Sequence, residues 1–360
     1  MPRTTAAPRA AMLRTTRALS WRFERPLDPD APFKVVFSGE RHFLAALPLT
    51  RAALADDGVA LVQAPTESLA AAVADAQVVI PFMERLDAAV LEAGTDVRLV
   101  VQFGVGLEGV DRDACRRLGI ALSNCPARAS GNAAATAEHA VFLALAMLRR
   151  GPEELAARFA AGVLGGLPLP RQLEGKRALV VGHGSVGSAL AARLRGAWGV
   201  DVVVAHAHRA WRDGETDLEA VGGRAAVLGA LPSCDVVFLA CPLTASTRSF
   251  VDDEFCGRLK PGAVVVNVAR GPVASRDAVL AALARDPALT YASDVGAGAA
   301  SKPAEPWDPA DALSRHPRTY FSPHVGGYTD VSYANTARLV ADAVARVRDR
   351  RPPDVWLNGP

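Results

Sequence analysis

The run KRALVVGHGSVGSALAARLRGAWGVDVVVAHAHR, residues 176–209, decides the fold. Ala178, Leu179, Val180 and Val181 form a short apolar run, the pattern of a strand buried on both faces. Gly182-His183-Gly184-Ser185-Val186-Gly187 follows, a G-x-G-x-x-G turn. A helical pattern with apolar Ala189, Leu190, Ala192, Leu194 and Ala197 comes next, then a second strand-like run at Val202-Val203-Val204. Strand, glycine turn, helix and strand in this order are what a dinucleotide site requires. Gly182 is expected to allow the tight turn and Gly184 to let the backbone approach a diphosphate. Gly187 is expected to let helix pack closely on strand. The diphosphate would sit on the N–H groups of the helix start, at Ser185 and Val186.

Outward from this unit the chain alternates strand-like and helix-like pieces. Val35-Val36-Phe37, residues 59–62, Val78-Val79-Ile80, Leu99-Val100-Val101 and Ile120-Ala121-Leu122 read as strands before it. Residues 236–240, 263–266, 291–295 and the stretch before Ser322 read as strands after it. Repeated β-α-β order implies parallel sheets covered by helices. The expected fold is α/β: two Rossmann- or flavodoxin-like domains, the nucleotide-binding one inserted into the other. Residues 33–145 and 325–360 are assigned to a substrate domain and 146–324 to the nucleotide domain. Long helices near 133–150 and 332–350 are the expected crossings.

Residues 1–32 are expected to stand outside the fold. Arg3, Arg9, Arg14, Arg17 and Arg22 punctuate a segment with no acidic residue before Glu24. That composition fits an unstructured arm on a cytoplasmic protein, or a transit peptide for chloroplast or mitochondrion. The rest has ordinary globular composition, 50% hydrophobic and 22% charged. A net charge of +2 demands no nucleic-acid partner. The five cysteines show no metal-ligand or C-x-x-C spacing, so neither zinc nor a disulfide framework is expected. No apolar run is long enough to span a membrane.

Ligands of open α/β sheets bind beyond the carboxyl ends of strands. Four such ends carry chemistry: Gly104-Val105-Gly106, residues 267–271, Asp294-Val295, and Pro323-His324-Val325-Gly326-Gly327. A cation at such an end can hold a carboxylate, and a proton donor beside it can serve a carbonyl oxygen. Arg270 can present a planar, permanently charged fork, and His324 can give up a proton near neutral pH. Glu305, in Glu305-Pro306, can orient the imidazole and favour its charged form. Asp308, three residues on, is the fallback.

Together with residues 101–111, 122–126, Pro242-Leu243-Thr244 and 260–263, these motifs resemble the D-isomer-specific 2-hydroxyacid dehydrogenases, over about residues 75–345. Gly131-Asn132-Ala133-Ala134 and 305–309 look most like a plant-type branch. The resemblance implies an NAD(P)-dependent oxidoreductase interconverting a small 2-oxo acid and a D-2-hydroxy acid, of the glyoxylate/hydroxypyruvate-reductase or phosphoglycerate-dehydrogenase kind. Catalysis would fall to Arg270, Glu305 and His324. Backbone N–H groups of Val105 and Gly106 would hold the substrate carboxylate. Pro242, Thr247, Val268, Ala269, Asp294 and Gly326 would surround the cofactor, with Asp294 orienting the carboxamide. A homodimer through the nucleotide domain is implied and no metal. Some relatives are nucleotide-sensing corepressors or scaffolds, the alternative reading. Glu138-His139, inside a helix, is read as structural.

The strand after a glycine-rich helix in an NAD site ends in an acid. Here that position falls at or near His206, with Arg209 and Arg212 close by. NADP(H) is therefore the expected cofactor, with NAD(H) as the alternative.

Overall fold

A computed structural model describes residues 21–359, apart from 29–30, 40–43, 56–57, 83, 167, 208, 213 and 297–307. Two parallel sheets organise them. The first holds β1 (Phe33–Ser38), β2 (Val59–Ala64), β3 (Val78–Ile80), β4 (Leu99–Val101) and β5 (Ala121–Ser123), in the order β2-β1-β3-β4-β5. The second holds β6 (Arg177–Val181), β7 (Asp201–His206), β8 (Glu219–Gly222), β9 (Val236–Leu239), β10 (Val264–Asn267), β11 (Thr290–Ser293) and β12 (Thr319–Phe321). Its order is β12-β11-β10-β9-β6-β7-β8, every pair parallel. The order reverses at β6, so the crevice for a ligand opens at the end of that strand.

The β6 run is apolar throughout because both faces are covered. Leu179 and Val181 pack into the core on one side of the sheet, and Ala178 and Val180 into the core on the other. This is the two-residue alternation of a strand inside a sandwich of helices. β8 escapes the apolar pattern. Its sequence is Glu-Ala-Val-Gly, and as an edge strand it is at most half-buried. All five cysteines are buried and unpaired. Burial pushes the thiols of Cys115, Cys125 and Cys256 up to about 12, which leaves them inert core residues.

Two long helices carry the chain between the domains. Asp330–Arg348 returns to the first domain, where Ala337, Val340, Ala341, Val344 and Val347 pack with Val35, Phe37 and Leu99. Asn132–Leu148, by contrast, lays Ala137, Ala140, Leu143 and Ala144 against Leu190, Ala191 and Val264 of the nucleotide domain. Packing therefore moves that domain's start ahead of the expected boundary at residue 146. Its apolar positions run nearly all round the helix, so sequence alone does not say which domain it covers.

Of the segment 1–32 expected to stand detached, residues 1–20 lie outside the described residues, and residues 21–23 are packed. Trp21 and Phe23 are core residues of the first domain, and the Trp21 ring meets Trp356 edge-on at 4.8 Å. Arg22 is also buried and donates through Nη1 to the carbonyl of Gly94 at 2.6 Å. A three-residue run has no periodicity to announce docking, and the partner tryptophan lies over 300 residues away in sequence.

Candidate active site in the interdomain cleft

The glycines of the turn after β6 are required by packing. Gly182 has φ +102°, and a Cβ there would stand 2.6 Å from the Cys241 nitrogen and the Ala240 carbonyl carbon. A Cβ on Gly187 would stand 1.8 Å from the Gly182 oxygen, so helix and turn could not close. Gly184 differs: nothing lies within 4 Å of its would-be Cβ. It precedes the helix Ser185–Trp198, whose start has no side-chain cap, so its opening N–H groups are not taken by a capping side chain. This donor set fits a dinucleotide diphosphate. Val186 and Val268 line the cleft beside it, and Ala269 is buried. Thr247 is fully buried, and its hydroxyl donates to the Pro242 carbonyl at 2.6 Å and accepts from the Thr244 N–H at 2.7 Å. It shapes the loop 242–247; its hydroxyl is not turned to a ligand.

At the end of β7 the expected carboxylate-free turn is corrected. Glu215, nine residues beyond His206, folds back onto it: Oε1 lies 3.0 Å from His206 Nε2. Arg209 pairs with the same carboxylate, and Glu215 Oε2 accepts the Arg212 N–H at 3.0 Å. The Arg209 guanidinium beside it, with the Arg212 amide, holds the Glu215 carboxyl well below the usual range. His206 also packs against Trp211, the rings tilted by 32° with centroids 4.1 Å apart. An NAD-site acid is sought directly after the strand, and loop closure brings this one in from farther along.

The catalytic candidates converge in one cleft. Its lining includes Val105 and Gly106 beyond β4, Arg270 beyond β10, Asp294 beyond β11 and His324 beyond β12. Within each sheet the strands are parallel, so the carboxyl ends of β10, β11 and β12 share one edge of the second sheet, and β4 brings its carboxyl end to the cleft from the first. Arg270 donates through Nε to Glu108 Oε1 at 3.0 Å and through Nη1 to the Ala269 carbonyl at 2.8 Å. A Cβ on Gly106 would stand 2.3 Å from Glu108 Oε2 and 2.7 Å from Arg270 Nη2, so this glycine makes room for the ion pair. Glu108 sits inside the quoted 101–111 motif, yet nothing in the sequence marks it as a partner of Arg270. His324 has φ +55°, a left-handed backbone uncommon outside glycine and held here by its surroundings. Glu305 lies outside the described residues. Asp308, the fallback, is exposed, caps a turn by accepting the Ala310 N–H at 2.8 Å, and does not line the cleft.

Asp294 anchors the segment that carries His324. It is 3% exposed. Oδ1 accepts the Ser322 hydroxyl at 2.6 Å and the Val325 N–H at 2.9 Å, and Oδ2 accepts the Gly326 N–H at 2.8 Å. His139, read from sequence as merely structural, places Nε2 at 2.7 Å from Ser322 Oγ and 3.3 Å from Asp294 Oδ1. Burial alone would raise this carboxyl, but the bonds from His139 and Ser322 outweigh it and the net shift is downward. A side chain on Gly326 would strike Asp294 Oδ2 at 2.7 Å, which explains that glycine.

Residues 141–326 match the family model described as the NAD binding domain of the D-isomer specific 2-hydroxyacid dehydrogenases. The chain belongs to that family. It is a dehydrogenase with a Rossmann-type NAD-binding domain. Among its relatives is D-3-phosphoglycerate dehydrogenase 2, chloroplastic, of Arabidopsis thaliana, 30% identical over 279 residues. That match covers 72% of this chain but 41% of the plant protein, so the chain spans less than half of it. A glyoxylate reductase of Pyrococcus furiosus is 29% identical over 298 residues, 80% of this chain and 84% of that one. In three dimensions the TT0316 protein from Thermus thermophilus superposes with a TM-score of 0.76 at 25% identity, over 90% of this chain and all of that one. Among the described residues no helix of the dehydrogenase is long and apolar enough to cross a membrane.

Proposed function

We propose that the enzyme reduces a small 2-oxo acid to the D-2-hydroxy acid and catalyses the reverse reaction. The observation that carries this reading is the convergence of Arg270, His324 and the Val105–Gly106 amides in a cleft continuous with Val186 and Val268. A bound reduced nicotinamide dinucleotide supplies the hydride. Arg270, with the amides at 105 and 106, holds the carboxylate and polarises the carbonyl. His324 delivers the proton to the oxygen as negative charge develops there. Asp294, Ser322 and His139 fix the segment bearing His324, as hydrogen-bonded second partners do for a catalytic imidazole. Glu305 is the proposed partner of that imidazole.

NAD(H) is the cofactor we now favour over NADP(H). Glu215 already occupies Arg209 and His206, so a 2′-phosphate would have to displace a carboxylate to reach them. A homodimer is proposed through the helix Pro152–Ala160 and the segment after it. Leu155, Phe159, Val163 and Leu164 are exposed there, Phe159 at 89%, an apolar arm that a second copy would cover.

The test is oxidation of reduced nicotinamide, followed by absorbance, with glyoxylate, hydroxypyruvate, pyruvate and phosphohydroxypyruvate. Turnover of at least one is expected. Tight nucleotide binding without turnover of any would leave the corepressor or scaffold reading instead.

A further inference from the structure

The cleft carries one guanidinium and several carboxylates, and that imbalance bears on substrate choice. Arg270 is the only lysine or arginine among its described lining residues, and two of its three nitrogens are engaged by Glu108 and Ala269. Nη2 lies beside Gly106 together with Glu108 Oε2: a Cβ on that glycine would stand 2.7 Å from the one and 2.3 Å from the other. The rest of the described lining has the His324 imidazole as its one further potential cation. It holds Glu108, whose side chain is 38% exposed, and Glu84, whose Oε2 accepts the Thr66 hydroxyl at 2.5 Å. Gln102, Ser130 and Asn132 add uncharged hydrogen-bonding groups. Asp294, the other acid in the lining, is turned inward onto its own donors.

We propose that Glu84 and Glu108 set the substrate class: 2-oxo acids with one negative charge and a neutral or hydroxylated side chain are accepted, and those with a second anionic group are rejected. This rests on the reduction proposed above. A 2-oxo acid spends its carboxylate on Arg270. A phosphate, sulfonate or second carboxylate then adds negative charge to a lining whose Arg270 is already shared between Glu108 and the first carboxylate. Like charges brought into one partly desolvated cleft give a discrimination of roughly 50-fold or more. A hydroxyl in the same place finds acceptors and donors.

The experiment measures kcat/KM for hydroxypyruvate, phosphohydroxypyruvate and sulfopyruvate with the full-length wild-type enzyme, Glu84→Gln and Glu108→Gln. Wild type is expected to favour hydroxypyruvate by at least roughly 50-fold. Each glutamine variant should narrow that ratio by about fivefold or more, whatever happens to the absolute rates, because the ratio cancels damage common to all substrates. Wild type alone supplies a second readout: raising salt from about 0.05 M to about 0.5 M should narrow the ratio, since partly exposed charges are screened. Dianions used as well as hydroxypyruvate, or a ratio indifferent to both variants and to salt, would overturn the proposal while leaving 2-oxo acid reduction intact. Failure to reduce any of the three, or glyoxylate, would instead remove the reading on which it rests.

Discussion

Replacing Asp294 by asparagine tests how the His324 segment is held. The carboxylate accepts three hydrogen bonds from Ser322, Val325 and Gly326 at 2.6 to 2.9 Å and approaches His139 at 3.3 Å, with 3% of the residue exposed. An amide cannot reproduce this. With its nitrogen at the Oδ2 position it meets the Gly326 N–H donor to donor; flipped, it faces Ser322 and Val325. At least one bond to a charged acceptor is lost and one buried donor is stranded, about 2–3 kcal/mol. The segment must keep His324 at positive φ, a conformation costing about 1–3 kcal/mol that persists only when its surroundings impose it. If the loss is felt at the imidazole, kcat/KM should fall by roughly 30- to 160-fold. Thermal unfolding should come several degrees earlier. The pH dependence has a definite sign. Asp294 is depressed in the folded state, so its stabilisation is present above the unfolded carboxyl value near 4 and is lost as pH falls through the lower folded value. The melting gap between wild type and variant should therefore hold from about pH 5 to pH 8 and close in stronger acid. Calorimetry and steady-state kinetics decide it. Unchanged stability with selectively weakened nicotinamide binding would show that Asp294 acts on the carboxamide, as its family resemblance implies, and not as an anchor.

His324→Ala should lower turnover by about 10²–10⁴-fold while nucleotide titration shows binding intact, since only the proton donor is removed; near-normal turnover refutes the role. Arg270→Lys should also be severe in kcat/KM, because a point charge cannot replace a bidentate fork and leaves Glu108 without its Nε partner. Glu215→Ala should raise kcat/KM for NADPH relative to NADH by roughly tenfold or more, freeing Arg209 and His206 for a 2′-phosphate; no change in the ratio would show that this turn faces away from the ribose. Phe23→Ala should destabilise the first domain by about 3–5 kcal/mol, read by chemical denaturation, since the ring is 3% exposed and packs on Trp356 at 5.5 Å. An unchanged midpoint would mean that residues 21–28 are dispensable to the core.

The strands, the glycine turn and the family were legible in residues 176–209 and in the motifs at strand ends, because their physics is local. A strand buried on both faces must be apolar throughout, and Gly182 and Gly187 answer to backbone contacts within one β-α-β unit. Arg270 and His324 could be singled out for a similar reason: the carboxyl end of a parallel strand is where a ligand binds, whatever lies opposite. Their partners were not legible. Glu108 meets Arg270 from 162 residues away, and Ser322 and Asp294 meet His139 across 183 and more than 150. Trp21 and Phe23 find Trp356 across the whole chain. Glu215 shows the same limit at short range, since only the path of the turn after β7 places its carboxylate on His206. Residue type and spacing determined which elements form and where a ligand must bind; which charges face one another there depended on how the two sheets and their loops pack, a property no local pattern encodes.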